Sequence, residues 1–210
     1  MNELRSGKLY VFAAASGAGK TTLVHAVVRK HPELRFSISY TTRKPRSNEA
    51  DGVDYLFVTE SEFMRLRAEG ELLESAEVFG NFYATSRSQV EKHLADNRDV
   101  VLEIDWQGAR QVRESMPESV TIFIMPPSVA ELERRLRERR TDAPDVIERR
   151  LRDARSDISH WGEFDYVIVN DDLNRAVADL EAVLAGKGEA FSTANEALRE
   201  TVRGIVGDDC

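Results

Sequence analysis

The sequence has only one cysteine, Cys210, and therefore cannot form a disulfide within the chain. That scarcity fits a reducing compartment, and we predict a cytoplasmic protein. No stretch approaches the roughly 18 consecutive apolar residues that a membrane-spanning helix needs, so no membrane partner is expected. The four histidines show no metal-ligand spacing, which argues against a histidine metal centre. They are His25, His31, His93 and His160.

Positive charge is also in short supply, because 29 lysines and arginines stand against 37 aspartates and glutamates, for a net charge of −8. Such an acidic chain does not suit a protein that coats nucleic acid or an anionic membrane. Hydrophobic residues make up 41% of the 210 residues, enough for one compact α/β domain with a sizeable core. A short apolar run after Arg5 and Lys8 imitates a secretory signal, but we interpret it as a first core strand.

Four short runs of β-branched and apolar residues predict strands buried on both faces, as in a parallel sheet. They are Leu9–Ala13, Val100–Ile104, Val120–Met125 and Tyr166–Val169. The helical patterns between them are Thr22–Lys30, Ser86–Asp96, Gln107–Ser115, Val129–Arg139 and Pro144–His160. Ser128 is the expected N-cap of the fourth helix, with Glu131 in the capping-box position. This alternation predicts an α/β doubly wound domain.

Residues 39–87 have a different pattern. They contain short alternating segments such as Tyr55–Val58, a predicted turn at Gly80–Tyr83 and a predicted helix near Glu60–Glu69. We predict a small inserted β-rich subdomain here. A last helix is expected at Thr193–Val206, after the break at Gly186–Gly188.

A glycine loop follows the first predicted strand and leads into the first helix. Its glycines let successive N–H groups converge on one anion, and the helix adds the positive end of its dipole. Lys20 can then reach the terminal phosphates of a nucleotide, and the Thr21 hydroxyl can ligate Mg²⁺. A glycine turn into an ordinary helix is the alternative. The predicted phosphate-binding residues are Ala14, Ala15, Ser16, Gly17, Ala18, Gly19, Lys20, Thr21 and Thr22. Ala14 stands where the full pattern has glycine, so its φ is expected to be negative.

Two further clusters of basic residues carry separate hypotheses. Arg43 and Arg46, three residues apart and held by Pro45, suit a dianionic phosphate, whereas a solvated basic loop is the alternative. The arginines between Arg134 and Arg152 suggest RNA binding, but acidic residues are interleaved with them. That pattern is typical of a solvated helix face with many ion pairs, so no nucleic-acid partner is expected.

In combination these segments resemble guanylate kinases. The shared motifs are Ser-x-Thr-Thr-Arg-x-Pro-Arg at 39–46, Ile-Asp-x-Gln-Gly at 104–108 and Val-Asn-Asp-Asp at 169–172. Their order and spacing match the family over residues 8–185. The resemblance implies one domain of the phosphate-loop NTPase fold, whose core is residues 1–38, 88–126 and 160–187. It also implies a GMP-binding subdomain at 39–87, a lid at 127–159, and a C-terminal helix and tail at 188–210.

The resemblance also implies roles for individual residues. The phosphate of GMP would be bound by Arg43, Arg46, Tyr55 and Tyr83, and its base by Ser39, Glu74 and Thr85. Glu103 and Asp105 would place the acceptor nucleotide and the water shell of the metal. On the ATP side, the implied residues are the lid arginines Arg135, Arg139 and Arg150, with Asn170 beside the adenine. The family often has glycine where this chain has Arg140. The implied catalytic set is Lys20, Arg43, Arg135, Arg139 and Arg150.

The chemistry of guanine supports the role of Glu74 independently. Guanine presents an N1–H and an exocyclic amine on one edge, and a carboxylate can accept from both. Adenine would leave that carboxylate desolvated and without a partner. From the sequence alone, however, an exposed helix-end carboxylate is the plainer interpretation of Glu74. An N-cap is the competing interpretation of Asp105, and Asp171 and Asp172 are expected to cap the next helix.

The expected reaction is Mg²⁺-dependent transfer of the ATP γ-phosphoryl group to GMP, with dGMP as a further expected substrate. Another phosphate-loop kinase, acting on a ribosyl phosphate, is one alternative. A non-enzymatic module of this family that binds phosphopeptides is another, although such modules tend to lose the loop lysine that is present here as Lys20. An RNA-binding protein is the third alternative. The sequence leaves a homo-oligomer open.

Overall fold

The structure, a computed structural model, describes residues 6–47, 49–78, 80–138 and 144–207, without the side chains of residues 144–146. Its strands, in chain order, are β1 Leu9–Ala14, β2 Arg35–Phe36, β3 Tyr40–Thr41, β4 Leu56–Phe57, β5 Leu72–Val78, β6 Asn81–Ser86, β7 Val100–Glu103, β8 Val120–Met125 and β9 Tyr166–Val169. Its α-helices are α1 Lys20–Lys30, α2 Glu60–Ala68, α3 Arg87–Ala95, α4 Trp106–Ser115, α5 Val129–Glu138, α6 Pro144–Ser159, α7 Leu173–Leu184 and α8 Glu196–Val206.

The described chain divides into two compact units, and β1 runs from one into the other. The first unit comprises residues 6–11 and 32–120, and the second comprises residues 12–31 and 121–207. In the first unit, the strand order is β2-β7-β1, and β2 pairs with β7 in parallel. In the second unit, the order is β1-β8-β9, and β8 pairs with β9 in parallel from Ile122 with Tyr166 to Met125 with Val169. The predicted α/β class with a parallel sheet is confirmed.

The strands are buried for the reason that the sequence indicated. Leu9 to Ala13 are all at most 3% exposed, and the residues from Ile122 to Met125 are fully buried. Strands covered on both faces need such continuous apolar runs. Most of the predicted boundaries are confirmed to within two residues. The helix after β1 begins at Lys20 rather than Thr22, and α8 begins at Glu196 rather than Thr193 because Asn195 is its N-cap.

A second sheet lies entirely within the first unit. Its strand order is β4-β3-β6-β5; β3 and β4 are parallel, and β6 is antiparallel to both β3 and β5. The predicted turn at Gly80–Tyr83 is wrong beyond Gly80. Gly80 has φ 73°, but Asn81 begins β6, so Tyr83 is a strand residue. Asn81 already pairs with Val78 of β5, so the connection between these two consecutive strands is shorter than the predicted turn.

Several predicted helix caps are present. The Ser128 hydroxyl accepts from the N–H of Glu131 at 3.0 Å, and the Asp172 carboxylate accepts from the N–H of Arg175 at 3.0 Å. The Glu131 carboxylate itself binds Arg134 and Arg135. None of the helices among the described residues combines the length and the apolar composition that crossing a membrane would require.

Candidate active site

The glycine loop lies in the second unit, between the end of β1 at Ala14 and the start of α1 at Lys20. Gly17 has φ 94° and Gly19 has φ 89°, a region that side chains with a Cβ rarely adopt. Among the described residues, Asn97 is the only non-glycine with positive φ, so Ala14 has the negative φ expected of it. The backbone therefore makes the sharp turn that the glycines predicted, and it continues directly into the helix.

Asn170 supports this loop from the end of β9. Its side chain is buried, and its Nδ2 donates to the carbonyl oxygen of Ala18 at 2.8 Å. A Cβ at Gly19 would lie only 2.5 Å from Nδ2 of Asn170. The absence of a side chain at Gly19 is therefore required twice, by the backbone angle and by this close approach.

Two of the predicted lid arginines contact the same loop. Arg135 donates from Nη2 to the carbonyl of Asn170 at 3.1 Å and from Nη1 to the carbonyl of Ala18 at 3.4 Å. Arg150 donates to the Ser16 hydroxyl at 2.7 Å. The structure therefore places cationic groups directly beside the turn. The third predicted lid arginine, Arg139, lies outside the described residues, as does the neighbouring Arg140.

Ion pairs along α5 hold Arg135 in place. Glu131 accepts from Arg134 and from Nε of Arg135 at 2.8 Å, and these arginines lower the pKa of Glu131 to about 2. Arg134 and Arg137 are exposed and pair with acidic residues on their own helix. For these two residues the prediction of a solvated helix face with ion pairs is confirmed.

The first unit brings together a cationic and phenolic cluster. The Arg43 guanidinium lies 5.3 Å from the centre of the Tyr55 ring, and the rings of Tyr55 and Tyr83 are 6.0 Å apart. The hydrogen bonds that Arg43 donates, to Glu49 foremost and also to Tyr83, raise the pKa of Arg43 above its ordinary value. Burial, assisted by the neighbouring Tyr83, raises the pKa of Tyr55, so its phenol remains a hydrogen-bond donor at neutral pH.

Glu49 organises this cluster, and the sequence analysis missed it. Its two carboxylate oxygens accept from Nη1 and Nη2 of Arg43 at 3.0 and 2.9 Å, a bidentate arrangement. The backbone N–H of Arg46 donates to the same carboxylate at 2.8 Å, whereas the Arg46 side chain is 72% exposed and reaches it only at 3.9 Å. The one available signal was an acidic residue in the same short loop as the two arginines. A separation of six residues, however, does not bring two side chains into contact in a helix or a strand, so the spacing did not predict this bond.

Glu74 is a buried strand residue, which overturns the interpretation of it as an exposed helix-end carboxylate. It lies in β5, is 5% exposed, and pairs across the sheet with Thr85 of β6. The Thr85 hydroxyl donates to Oε1 of Glu74 at 2.7 Å. Ser39 is half-buried just before β3, and its carbonyl accepts from the N–H of Leu56. The structure thus gives one buried carboxylate a fixed orientation in the unit that also holds Arg43.

Asp105 caps α4, as one interpretation of the sequence predicted. Its Oδ1 accepts from the N–H of Gly108 at 2.7 Å. Glu103 is half-buried at the end of β7, close enough to Tyr55 for its charge to raise the pKa of that phenol. Both carboxylates therefore lie at the carboxyl end of a parallel strand, the edge of the sheet at which α/β proteins bind ligands.

Comparison with known proteins decides the family. A family model described as guanylate kinase matches residues 6–187. The chain is 52% identical to a guanylate kinase of Alkalilimnicola ehrlichii over 201 residues, which are 96% of this chain and 99% of that one. It is 53% identical to a guanylate kinase of Dechloromonas aromatica over 186 residues, 89% of this chain and 92% of that one. The chain belongs to the guanylate kinase family.

A solved structure supports the same assignment. The crystal structure of guanylate kinase from Anaplasma phagocytophilum matches this chain with a TM-score of 0.72 and 34% sequence identity. The match covers 95% of each chain. The family model, which matches residues 6–187, spans the residues of both the glycine loop and the Arg43 cluster.

The side chains near the glycine loop offer few ligands for Mg²⁺. Thr21 is exposed in the first turn of α1, where its hydroxyl is a hard oxygen ligand. The described residues contain no group of three or more acidic, histidine or cysteine side chains that could enclose a metal ion. Mg²⁺ keeps several waters and is commonly held through substrate phosphates. The residues of this guanylate kinase family member therefore fit a Mg²⁺ ion that is bound mainly through the phosphates of its nucleotide.

Proposed function

We propose that the chain is an ATP:GMP phosphotransferase that converts ATP and GMP into ADP and GDP. The observation that carries this proposal is the pairing, in the first unit, of a buried oriented carboxylate with a cationic and phenolic cluster. Glu74 would read the base, and Arg43 with its tyrosines would bind the phosphate. The second unit supplies the glycine loop for ATP. Phosphoryl transfer between two nucleotides requires both sites.

Recognition of guanine follows from the hydrogen-bonding capacity of Glu74. Oε1 already accepts from Thr85, which restrains the orientation of the carboxylate. The carboxylate can accept from the N1–H and the exocyclic amine of guanine together. Adenine has no proton on N1, so AMP would leave a buried charge without its partner, and such a mismatch rejects an analogue by roughly 10⁴-fold. Ser39 and Thr85 are the proposed hydroxyl neighbours of the base.

Binding of the GMP phosphate is assigned to Arg43, Arg46, Tyr55 and Tyr83. The phenol of Tyr55 can donate to a phosphate oxygen, because its ordinary pKa lies well above neutral pH and burial raises that pKa further. The Arg46 side chain is exposed, which leaves it able to turn toward an incoming dianion. Glu103 and Asp105 are proposed to place the acceptor nucleotide. Because these contacts involve base and phosphate and none involves the ribose 2′-hydroxyl, dGMP is also a proposed substrate.

The ATP phosphates are assigned to the loop of residues 14–22. Its N–H groups and the positive end of the α1 dipole bind anionic oxygens, and Lys20 reaches the terminal phosphates. Arg135 and Arg150 add positive charge beside the turn, and Arg139 keeps its proposed role on the resemblance alone. The proposed contact of Asn170 with adenine must coexist with its bond to Ala18.

The reaction needs no general base in the protein. A phosphomonoester has a second pKa near ~6, so the GMP phosphate is already mostly a dianion at neutral pH. The residues instead align two phosphates that repel each other and neutralise the charge between them. Thr21 would hold Mg²⁺, which when bound neutralises charge on the phosphate oxygens. Lys20, Arg43, Arg135 and Arg150 supply the protein's share of that neutralisation.

A nucleotide panel tests the proposal. ADP release is followed with ATP and Mg²⁺ in the presence of GMP, dGMP, AMP, UMP or CMP. We expect rapid turnover with GMP, turnover with dGMP, and at most traces with the other three. Release of ADP with a ribosyl phosphate but not with GMP would favour another phosphate-loop kinase. No release with any acceptor, together with phosphopeptide binding, would favour a non-enzymatic module. A cytoplasmic location is proposed alongside this activity, because a chain with a single cysteine fits a reducing compartment.

A further inference from the structure

The strand that carries Glu74 is an edge strand, and a side chain of α4 occupies its open edge. β5 lies at the end of the order β4-β3-β6-β5, so backbone groups on its outer side have no neighbouring strand among the described residues. Gln111 fills that position at Ser75, the residue after Glu74. Its Oε1 accepts from the N–H of Ser75 at 3.0 Å, and its Nε2 donates to the carbonyl of Ser75 at 3.0 Å. One amide thus makes both bonds that a paired strand would make.

A glycine on the same face of α4 lies against the Glu74 carboxylate itself. Gly108 is three residues before Gln111, which places the two on neighbouring positions of one helix face. A Cβ at Gly108 would lie 2.9 Å from Oε2 of Glu74 and 3.2 Å from Oδ1 of Asp105. Gly108 is also in the first turn of α4, where the positive end of the helix dipole favours a negative charge.

We propose that Gln111 and Gly108 are positioning residues that set base discrimination by holding the Glu74 carboxylate in register for guanine. This inference rests on the proposed role of Glu74. Gln111 fixes the backbone next to Glu74, and Gly108 leaves the space in which Oε2 lies. Thr85 fixes the other oxygen, Oε1. The carboxylate is therefore located by one hydrogen bond from β6, by the space at Gly108 of α4, and by the Gln111 bonds that hold the adjacent backbone of Ser75.

Such precision matters because guanine is recognised by two hydrogen bonds to one small group. Hydrogen bonds weaken steeply as their angle departs from linear, so a rotated carboxylate can keep one bond to the base but not both. A base with only one of the two donors then loses less than guanine does. IMP provides that comparison, because it retains the N1–H of guanine and lacks the exocyclic amine.

Gln111→Met tests the bidentate contact, because methionine has nearly the same length and no amide. We expect the KM for GMP to rise roughly tenfold, the effect of weakening one hydrogen bond to a charged group, while the KM for ATP stays unchanged. The ratio of kcat/KM for GMP to that for IMP should fall. Gln89→Met is the matched control, because Gln89 is a half-buried glutamine of α3 in the same unit, and the described contact of that residue is made by its backbone.

Gly108→Ala separates positioning from stability. Alanine favours helix more than glycine does, so local helix propensity alone predicts a protein at least as stable as the wild type. The new Cβ would displace the end of the flexible Glu74 side chain, so we expect a higher KM for GMP and a lower GMP-to-IMP ratio. Thermal unfolding is measured on each variant, so that loss of folded protein is not mistaken for loss of discrimination.

The possible results separate this inference from the proposed function. If the wild type transfers no phosphate to GMP, the proposed function fails and the inference with it. If the wild type is active and Glu74→Gln alters the base preference, but folded Gln111→Met and Gly108→Ala keep the wild-type GMP-to-IMP ratio, only the inference fails. An equal loss of kcat with every acceptor, at unchanged ratios, would also overturn it, since that is the signature of a merely structural role.

Discussion

At the scale of single residues, the sequence shows which functional group a side chain carries, but it does not show whether that side chain is buried. Glu74 has the right functional group for guanine, yet nothing local distinguishes it from an exposed carboxylate. Its burial depends on Thr85, which lies eleven residues later and pairs with it only when β5 and β6 form. Glu49 was missed for a related reason, because its bidentate bond to Arg43 depends on how the intervening loop folds.

The first prediction concerns Glu74→Gln. Glutamine presents one acceptor and one donor, so it clashes with one of the two N–H groups of guanine and can donate to N1 of adenine. We expect kcat/KM for GMP to fall by roughly 10²-fold or more and that for AMP to rise relative to it. Steady-state kinetics with both acceptors measures the change. An unaltered preference would show that guanine is read by other residues.

The second prediction concerns Glu49→Gln. Glutamine cannot accept both bonds of the Arg43 fork, so the guanidinium loses its fixed orientation. We expect the KM for GMP to rise about three- to tenfold, with kcat and the KM for ATP nearly unchanged. Glu62→Gln is the control, because Glu62 pairs with Arg65 on the exposed face of α2. A lower KM for GMP would instead identify Glu49 as a charge that competes with the phosphate.

At the scale of elements, the parts built from local signals were predicted well. The glycine loop, the strand before it and the helix after it are contiguous in sequence, and their angles follow from residue type. β2 consists of two residues and was missed, and β6 was shortened into a turn. β2 pairs with β7, which is distant in the chain, so no local pattern encodes it. β6 pairs with the distant β3 and also with β5, which directly precedes it. The roles of the site residues remain predictions.

The third prediction tests the loop as an element. Gly19→Ala would strain a backbone at φ 89° and place a Cβ 2.5 Å from Asn170. Gly186→Ala is the control, because Gly186 has φ 72° in the same unit but no atom within 4 Å of its Cβ position. Both variants should lose about 1 kcal/mol of unfolding free energy for the backbone angle. Only Gly19→Ala should also raise the KM for ATP, by roughly tenfold or more. Equal ATP kinetics in the two variants would contradict the assigned role.

The fourth prediction concerns the pH dependence of stability at α5. Arg134 and Arg135 lower the pKa of Glu131 from 4.5 to about 2. A carboxylate with a lowered pKa stabilises the folded state above its ordinary pKa, and that contribution is lost as the pH falls toward 2. We therefore expect Glu131→Gln to be less stable than the wild type at pH 6 and to approach it by pH 2.5. Urea unfolding at several pH values measures this. A constant difference, or the same trend in the exposed Glu118→Gln, would contradict it.

At the scale of the whole molecule, the residues proposed to bind ATP lie in one unit and those proposed to bind GMP lie in the other. Residues 12–31 and 121–207 hold the loop, Arg135 and Arg150, whereas residues 32–120 hold Arg43, Glu49 and Glu74. The family relationship covers nearly the whole chain, so both groups are assigned to one enzyme. The affinity for each nucleotide should therefore change with substitutions in the unit proposed to bind it, while the turnover rate should change with substitutions in either unit.

The fifth prediction uses that separation. Lys20→Ala removes the charge that we propose acts on the transferred phosphoryl group, so kcat should fall by roughly 10²- to 10³-fold. The dissociation constant for GMP, measured by calorimetry, should change less than twofold, because the proposed GMP residues lie in the other unit. Turnover equal to that of the wild type would remove Lys20 from the mechanism. A parallel loss of GMP affinity would show that the two groups of residues do not act separately.

The central claim is that one phosphoryl group passes from ATP to a guanine nucleotide. The most direct measurement supplies ATP labelled in its γ-phosphate, together with Mg²⁺, GMP and an equal amount of AMP, and follows the label. We predict that the label appears in GDP, with almost none in ADP formed from AMP and little in inorganic phosphate. Label that remained in ATP, or that went to AMP or to water instead of GMP, would contradict the account.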